Sequence, residues 1–310
     1  MPALRCVLPD MISNSYFPAI AAADLGFFKA EGLDMDVELL FPVDKSYEAL
    51  RDGKADFVAG SAHATLAAFP EWQGAKLLCS LAQGMYWFLV MRTDLKAARG
   101  DVSVVKGKRI GAAPWVELGL KRLLAEAGID IVKDKVEIAP VPGTLQAGVS
   151  FGVTAAKALE EGRIDGFWAN GMGAEVAVRR GIGSIVLDVR RGDGPKVAFY
   201  YTRPVLVTTD AMIDKKPDTV AAAIRAIVKT LKALRADVSQ ATTVGRKRFP
   251  ETEAGLIAEV VTRDLPFYDP AIDETYVARM NAFARDMGIL KGDVPFERVV
   301  ATRFRDVWKG

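Results

Sequence analysis

The side chains that could do chemistry stand where the sequence predicts that β-strands end. The first group is the turn formed by Ser13, Asn14, Ser15, Tyr16 and Phe17, which follows a short apolar run. Its hydroxyl and amide groups can contact a ligand, or they can cap the helix that follows. Its two aromatic rings can line a pocket, or they can pack as a hydrophobic staple at the start of that helix. The sequence leaves both interpretations open.

A second candidate is His63, the only histidine of the chain, which follows a predicted strand that ends near Ser61. In open α/β sheets, ligands bind beyond the carboxyl ends of the strands. Ser61 and His63 are therefore candidate ligand contacts, and a structural histidine is the alternative. A general-base role is disfavoured, because no Ser or Cys with an orienting acid lies near His63 in the sequence.

The other candidates flank predicted strands in the same way. The guanidinium of Arg203 could pair with an anionic group of a ligand, and a surface salt bridge is the alternative. Packing in the core is an equal alternative for Trp87. The full set of these further candidates is Phe41, Tyr86, Trp87, Pro114, Trp115, Thr144, Asn170, Tyr201 and Arg203.

A helix–glycine–strand unit occurs twice in the sequence, and candidate residues follow its strand in both copies. "ALRDGKADFVAGS" (49–61) returns as "ALEEGRIDGFWANG" (158–171), and "FFKAEGLD" (27–34) returns as "LLAEAGID" (123–130). The separation grows from 96 to 109 residues, and the additional residues fall in the Gly-rich loop 142–153. In each copy a helix ends at a glycine and a strand follows, so that Asn170 corresponds to Ser61.

The alternation of helices and strands within each copy predicts a mostly parallel sheet with helices on both faces. Gly53 and Gly162 are predicted to end their helices in the left-handed conformation, and Asp56 and Asp165 to begin the strands that follow. Two chance copies of a common turn are the alternative to a true duplication. Helices are predicted over 17–33 and over most of the last third of the chain.

The composition of the chain disfavours several classes of function. The chain has 310 residues and a net charge of +2, which gives no bias toward nucleic acid or a membrane surface. Cys6 and Cys79 lie in apolar stretches and are predicted to be buried free thiols, since a disulfide would need their strands to lie side by side. No Cys or His spacing suggests a metal site, and no cofactor is predicted. The start of the sequence lacks the features of a signal peptide.

The chain resembles a known family through "GFFKAEGLDMDVELL", "ALRDGKADFVAGS", "VKGKRIGAAP" and "ALEEGRIDGFWA", in this order. These stretches are similar to the substrate-binding proteins of nitrate/sulfonate/taurine-type ABC transporters, a group that includes thiamine-pyrimidine-binding proteins. The resemblance implies an α/β fold of the periplasmic-binding-protein type (type II), with a ligand cleft between two lobes. Lobe one would hold residues 1–91 and 206–310, lobe two would hold 95–202, and hinge crossings would lie at about 90–96 and 201–206.

The resemblance also implies a biological setting. The chain would be a monomer that binds a small molecule and delivers it to an ABC permease, with no nucleic-acid partner. Family members carry a leader for export, so a periplasmic location is expected if a leader was removed, and a cytoplasmic one if Met1 is the native start. The alternative is an enzyme on the same fold, acting on a metabolite like those of the thiamine-pyrimidine or menaquinone pathways.

The sequence departs from the family at the turn that contains Pro114 and Trp115. Related proteins have a Gly-Ser-type turn there, whose backbone N–H groups hold an anion. Proline removes a donor, and tryptophan adds a large apolar face. Gly171 and Met172 likewise replace the Glu-Pro pair that often follows the later strand. These departures favour an organic ligand with a ring or an apolar body, and a polar or anionic end, over a small inorganic anion.

Overall fold

Two five-stranded sheets organise the described residues, 3–144 and 150–310, of the computed structural model. The chain divides into two compact units around them. Unit 1 comprises Met1–Gln83 and Arg203–Gly310, and unit 2 comprises Gly84–Thr202. The hinge role of segments 90–96 and 201–206 stays a prediction.

The sheet of unit 1 is mixed. It has the order β2-β1-β3-β10-β4. The first three of these strands are parallel, and β10 pairs antiparallel with both β3 and β4. The ranges are β1 Leu4–Leu8, β2 Met35–Leu39, β3 Phe57–Ser61, β4 Ala75–Ser80 and β10 Pro204–Thr209.

The sheet of unit 2 repeats this plan with the order β7-β6-β8-β5-β9. Strands β7, β6 and β8 are parallel, and β5 pairs antiparallel with β8 and β9. The ranges are β5 Phe88–Arg92, β6 Arg109–Ala112, β7 Glu137–Ala139, β8 Gly166–Ala169 and β9 Gly183–Asp188. Each sheet therefore has one antiparallel strand next to its third parallel strand: β10 lies next to β3, and β5 lies next to β8.

Helices follow the strands in both units. Unit 2 contains α4 Glu117–Glu126, α5 Phe151–Glu160 and α6 Gly171–Arg179. Unit 1 contains α1 Phe17–Asp24, α2 Phe27–Ala30, α3 Val43–Arg51, α7 Asp210–Lys215, α8 Pro217–Ala236, α9 Ser239–Arg248, α10 Glu251–Asp264, α11 Glu274–Asp286 and α12 Phe296–Val299. The helical last third is thus confirmed, and α8 buries an apolar face that includes Val220, Ile224, Ile227 and Leu231. Among the described helices, none is long and apolar enough to cross a membrane.

The duplicated unit has the same hydrogen bonds in both copies. The Arg5 N–H donates to Asp56 Oδ2 (2.9 Å), and the Asp56 N–H donates to the Arg5 carbonyl (2.9 Å). In the second copy the Arg109 N–H donates to Asp165 Oδ2 (2.9 Å), and the Asp165 N–H donates to the Arg109 carbonyl (2.8 Å). Each aspartate thus ties the start of one strand to the start of its neighbour. The matching bonds favour duplication over two chance copies.

The glycines of the repeat adopt the predicted conformation, with φ of +69° at Gly53 and +68° at Gly162. A different glycine overturns another prediction. The helix predicted over 17–33 is interrupted, because Gly26 takes a φ of +79° between α1 and α2. A left-handed residue cannot continue a right-handed helix.

The two cysteines are free and buried, as predicted. Cys6 lies on β1 and Cys79 on β4, and the strands β3 and β10 separate them in the sheet. The geometry of a disulfide is therefore out of reach. Burial raises the pKa of the Cys6 thiol to about 12 and also raises the pKa of Cys79.

Candidate functional site

The carboxyl edge of the first sheet collects the candidates of unit 1. The loops after β1, β2 and β3 leave this edge because these strands are parallel. Pro204, which opens the antiparallel β10, pairs with Ser61 at the end of β3, so that Arg203 lies at the same edge. The candidates that the topology brings to this edge are Ser13, Asn14, Tyr16, Phe17, Phe41, Ser61, His63 and Arg203.

The turn after β1 is held by its own side chains and by a distant carboxylate. Ser13 Oγ accepts a hydrogen bond from the Ser15 N–H (3.0 Å), and Asn14 Nδ2 donates to Asp264 Oδ2 (2.6 Å). The N-cap of α1 is Tyr16, and no side chain caps this helix. The capping interpretation of Ser13, Asn14 and Ser15 is therefore wrong. Ser15 Oγ is buried and has no hydrogen-bond partner among the described residues.

The end of β3 is tied to two tyrosines. The Tyr47 hydroxyl donates to the Ser61 carbonyl (2.6 Å), and the Tyr16 hydroxyl lies 3.4 Å from Ser61 Oγ. Burial raises the pKa of the Tyr47 hydroxyl well above its ordinary value, so that Tyr47 stays neutral. This network places the Ser61 hydroxyl beside an aromatic hydroxyl at the edge of the sheet.

Three further candidates of unit 1 differ in their surroundings. Phe17 is fully buried, with its ring edge-on to Phe249 at 6.2 Å, which is core packing. His63 is also fully buried, in a short 3₁₀ helix (Ala62–Ala67), and its ring meets Phe283 edge-on at 5.6 Å. Phe41 is half-buried just after β2.

Arg203 is a buried cation. Only 1% of the residue is exposed, so the surface salt bridge is excluded. Its guanidinium lies 3.4 Å from the centre of the Tyr276 ring, a cation–π contact. Nη1 donates to Ser80 Oγ (3.4 Å) and to the Ala271 carbonyl (3.3 Å). These contacts fix a positive charge at the edge where β10 begins.

The carboxyl edge of the second sheet collects the candidates of unit 2. Phe88, the first residue of β5, pairs with the last residue of β8 and the last residue of β9. The residues just before β5 therefore lie at the same edge of the sheet as the loops that follow β6, β7, β8 and β9. This edge brings together Tyr86, Trp87, Pro114, Trp115, Thr144 and Asn170.

The turn after β6 is unusual at Trp115. Trp115 is half-buried and has a φ of +69°, a left-handed conformation that bulky residues rarely adopt. The helix α4 begins two residues later, at Glu117. Burial raises the pKa of the Glu117 carboxyl, and Lys121, at 3.7 Å, opposes the rise.

An aromatic cluster lies at the start of β5. The rings of Tyr86 and Trp87 are 4.8 Å apart, and Trp87 meets Trp168 edge-on at 6.3 Å. The guanidinium of Arg190, which follows β9, lies 5.8 Å from the Tyr86 ring. All three rings are buried. The packing interpretation of Trp87 is thus supported, although its contacts lie at the predicted edge.

Two other candidates of unit 2 have local structural roles. Asn170 is the N-cap of α6, and its Oδ1 accepts from the N–H groups of Met172 (3.0 Å) and Gly173 (3.1 Å). Thr144 Oγ1 donates to the Val141 carbonyl (2.5 Å) in a tight turn. The remainder of the Gly-rich loop, residues 145–149, lies outside the described residues. Tyr201, also in unit 2, is buried after a 3₁₀ helix.

The sequence did not reveal every residue that shapes these edges. Asp264 reaches Asn14 across 250 positions of sequence, and Tyr276 stacks on Arg203 from α11. Contacts of that kind leave no local pattern. Arg190 lies two residues after β9 ends at Asp188, so a search for side chains just beyond the carboxyl ends of strands could have found it. No cluster of three metal-ligating side chains occurs within residues 3–144 and 150–310.

A family model described as "NMT1/THI5 like" matches residues 13–241, more than half of the chain. The chain belongs to the NMT1/THI5-like family. This confirms the family resemblance seen in the sequence. No curated protein sequence matches the chain.

Solved structures show the same fold at low sequence identity. A protein of Bordetella bronchiseptica RB50 aligns with a TM-score of 0.77 and 20% identity over 100% of this chain and 99% of its own. The alkanesulfonate-binding protein SsuA from Xanthomonas axonopodis pv. citri, bound to MOPS, aligns with a TM-score of 0.68 and 15% identity over 98% of each chain. The desulfurization enzyme DSZB aligns with a TM-score of 0.66 and 15% identity over 98% of each chain. The fold is thus that of periplasmic binding proteins, and an enzyme shares it.

Proposed function

We propose that this NMT1/THI5-like protein is the solute-binding component of an ABC import system. The solute is a small organic molecule with a planar or apolar body and a polar or anionic end. The protein works as a monomer outside the cytoplasmic membrane and passes its solute to the permease. Membership of the family and the binding-protein fold support this function.

The observation that carries the proposal is the chemistry of the two carboxyl edges. In unit 2, a tryptophan takes a left-handed conformation in the turn after β6. An inorganic anion would instead be suited by a nest of backbone N–H donors at this turn. The same edge has the cluster of Tyr86, Trp87 and Trp168. Unit 1 contributes a buried cation, Arg203, and a hydroxyl pair, Tyr16 and Ser61. Aromatic side chains at the edge of one unit, and a fixed cation and hydroxyls at the edge of the other, are the groups that suit a partly apolar organic solute.

A second candidate function is an enzyme on the same fold. The specific observation in its favour is the likeness to DSZB, an enzyme that aligns over nearly the whole chain. The two functions differ in what happens to the bound compound. A binding protein releases the solute unchanged, whereas an enzyme consumes it.

A thermal-shift experiment tests the proposed function. The panel consists of methanesulfonate, MOPS, benzenesulfonate, benzoate and nicotinate, with nitrate and taurine as small comparators. A solute that binds only the folded protein adds about 2.7 kcal/mol to its stability at a hundredfold excess over the dissociation constant. We expect a rise in Tm with at least one of the organic anions. No rise with any of them, or a rise with nitrate or taurine alone, would contradict the proposed solute class.

A further inference from the structure

The tryptophans of this chain differ in how the protein satisfies their indole N–H groups. Trp72 Nε1 donates to Asn281 Oδ1 (3.1 Å), and Trp308 Nε1 donates to the Leu78 carbonyl (2.9 Å). Trp168 is fully buried, yet its Nε1 has no acceptor among the described residues. A buried donor without an acceptor loses its bonds to water and gains nothing in return. Such groups are rare in folded proteins and call for a specific explanation.

The position of Trp168 supplies one. Trp168 is the penultimate residue of β8, two positions before Asn170 at the carboxyl edge of its sheet. In the sheet it pairs with Leu89 of β5 and Ala112 of β6. The Ala112 partner leads directly into the turn that contains Trp115. The unsatisfied N–H thus belongs to a residue that neighbours the candidate binding turn.

The side chain of Trp168 is fully buried and packs against another aromatic ring. Its ring meets Trp87 edge-on at 6.3 Å. Helix α4 approaches Trp87 so closely that a Cβ on Gly119 would lie 3.4 Å from the Trp87 ring and 3.1 Å from Met85 Sδ. A phenylalanine at position 168 would supply an aromatic face without a polar atom to satisfy. Packing therefore accounts for an aromatic ring here, but not for an indole N–H.

We propose that Trp168 is a specificity-determining residue whose Nε1–H donates a hydrogen bond to an acceptor atom of the bound solute. The acceptor is an oxygen or nitrogen carried on or beside a planar group, because the neighbouring side chains are aromatic. A carboxylate, a sulfonate and a ring nitrogen share this chemistry. The inference rests on the proposed function, and it identifies Trp168 Nε1 as the donor in unit 2 that binds the polar end of the solute.

The primary test follows the indole N–H groups of the wild-type protein by ¹⁵N NMR. The protein is labelled at tryptophan and titrated with the organic anion of the thermal-shift panel that raises Tm most. We expect the Trp168 resonance to shift downfield on binding, while those of Trp72 and Trp308 stay in place. A Trp168 resonance that does not move while the probe binds would show that the probe does not accept a hydrogen bond from this N–H, and the proposal would be overturned.

A variant gives a second readout. Trp168→Phe keeps an aromatic ring and removes the donor, and we expect its affinity for the same probe to fall about tenfold, as for the loss of one hydrogen bond to a charged or polar acceptor. Trp72→Phe is the matched control, because it removes an indole N–H that bonds within unit 1, and its affinity should stay that of the wild type. Equal affinities for Trp168→Phe and wild type would reject the role of Trp168 while leaving the proposed function in place. If no probe binds the wild type, the proposed function itself fails, and this inference fails with it. If Trp168→Phe does not fold, the wild-type titration decides alone.

Discussion

At the scale of single residues, Trp115 carries the prediction about the kind of solute. We expect Trp115→Ala to weaken the binding of an aromatic or heteroaromatic solute by about tenfold or more, because the variant loses an aromatic face and its desolvated contact. Isothermal titration calorimetry with the best probe measures the change, and circular dichroism checks that the fold is kept. Unchanged affinity would show that the turn after β6 does not contact the solute.

A second prediction at this scale concerns Glu117 and pH. Because burial raises its pKa, the folded protein binds this proton more tightly than the unfolded chain does. Wild type should therefore lose stability, relative to Glu117→Gln, as pH rises from the ordinary glutamate value of about 4.3 through the raised pKa. Urea denaturation of both proteins across this range measures the difference. A difference that does not change with pH would contradict the burial of this carboxyl.

Asp165 is the matched control with the opposite sign. Burial acts to raise its pKa, but hydrogen bonds from the Arg109 backbone and side chain, together with the positive charges of Arg109 and Arg92, outweigh burial, and the pKa is lowered. The stabilisation is therefore present above the ordinary aspartate pKa of about 3.9 and is lost as pH falls through the lowered value. Relative to Asp165→Asn, wild type should lose its advantage on the acid side. An advantage that persists in acid would contradict the bonds from Arg109.

At the scale of secondary-structure elements, the repeated helix–glycine–strand unit gives a test of backbone geometry. A Cβ on Gly53 or Gly162 would meet no atom within 4 Å, so that only the left-handed φ opposes alanine. We expect Gly53→Ala and Gly162→Ala each to lower the free energy of unfolding by about 1 kcal/mol. Chemical denaturation measures both.

Gly255 provides the control for this pair. It is exposed within α10, its φ is not left-handed, and a Cβ there also has open space. Gly255→Ala should raise the free energy of unfolding by up to about 1 kcal/mol, because alanine favours the helix. Three substitutions that changed stability in the same direction would contradict the assigned backbone conformations.

The secondary-structure elements also show which features of the fold the sequence could predict and which it could not. The repeat placed Gly53 and Gly162 correctly, and it placed Asp56 and Asp165 within one residue of the strand starts, because helix ends and strand starts depend on local backbone rules. The sequence did not predict the break of the first helix at Gly26. A glycine inside an apolar periodic stretch does not by itself indicate a left-handed backbone conformation. The loops that contain the candidate site residues were predicted from the rule that ligands bind beyond the carboxyl ends of strands in open α/β sheets. The bonds that fix them, such as Asn14 to Asp264, join residues far apart in sequence and could not be found that way.

At the scale of the whole molecule, the two units differ in their continuity along the chain. All strands of the second sheet fall within one segment, Gly84–Thr202, whereas unit 1 is assembled from two segments. We expect a fragment of residues 84–202 to fold by itself, with a cooperative urea transition and dispersed amide resonances. A fragment of residues 1–83 should remain unfolded alone, because it lacks β10, which lies between β3 and β4 in the sheet. A disordered 84–202 fragment would contradict the division of the chain.

The central claim is that the protein binds one small organic solute and returns it unchanged. Native mass spectrometry of the protein, purified without refolding and then incubated with the probe that raises Tm most, tests this directly. We predict a complex with one solute per chain, and after denaturation the recovered solute should have its original mass and amount over hours of incubation. Loss of the solute together with the appearance of a product would contradict the account and identify an enzyme on this fold.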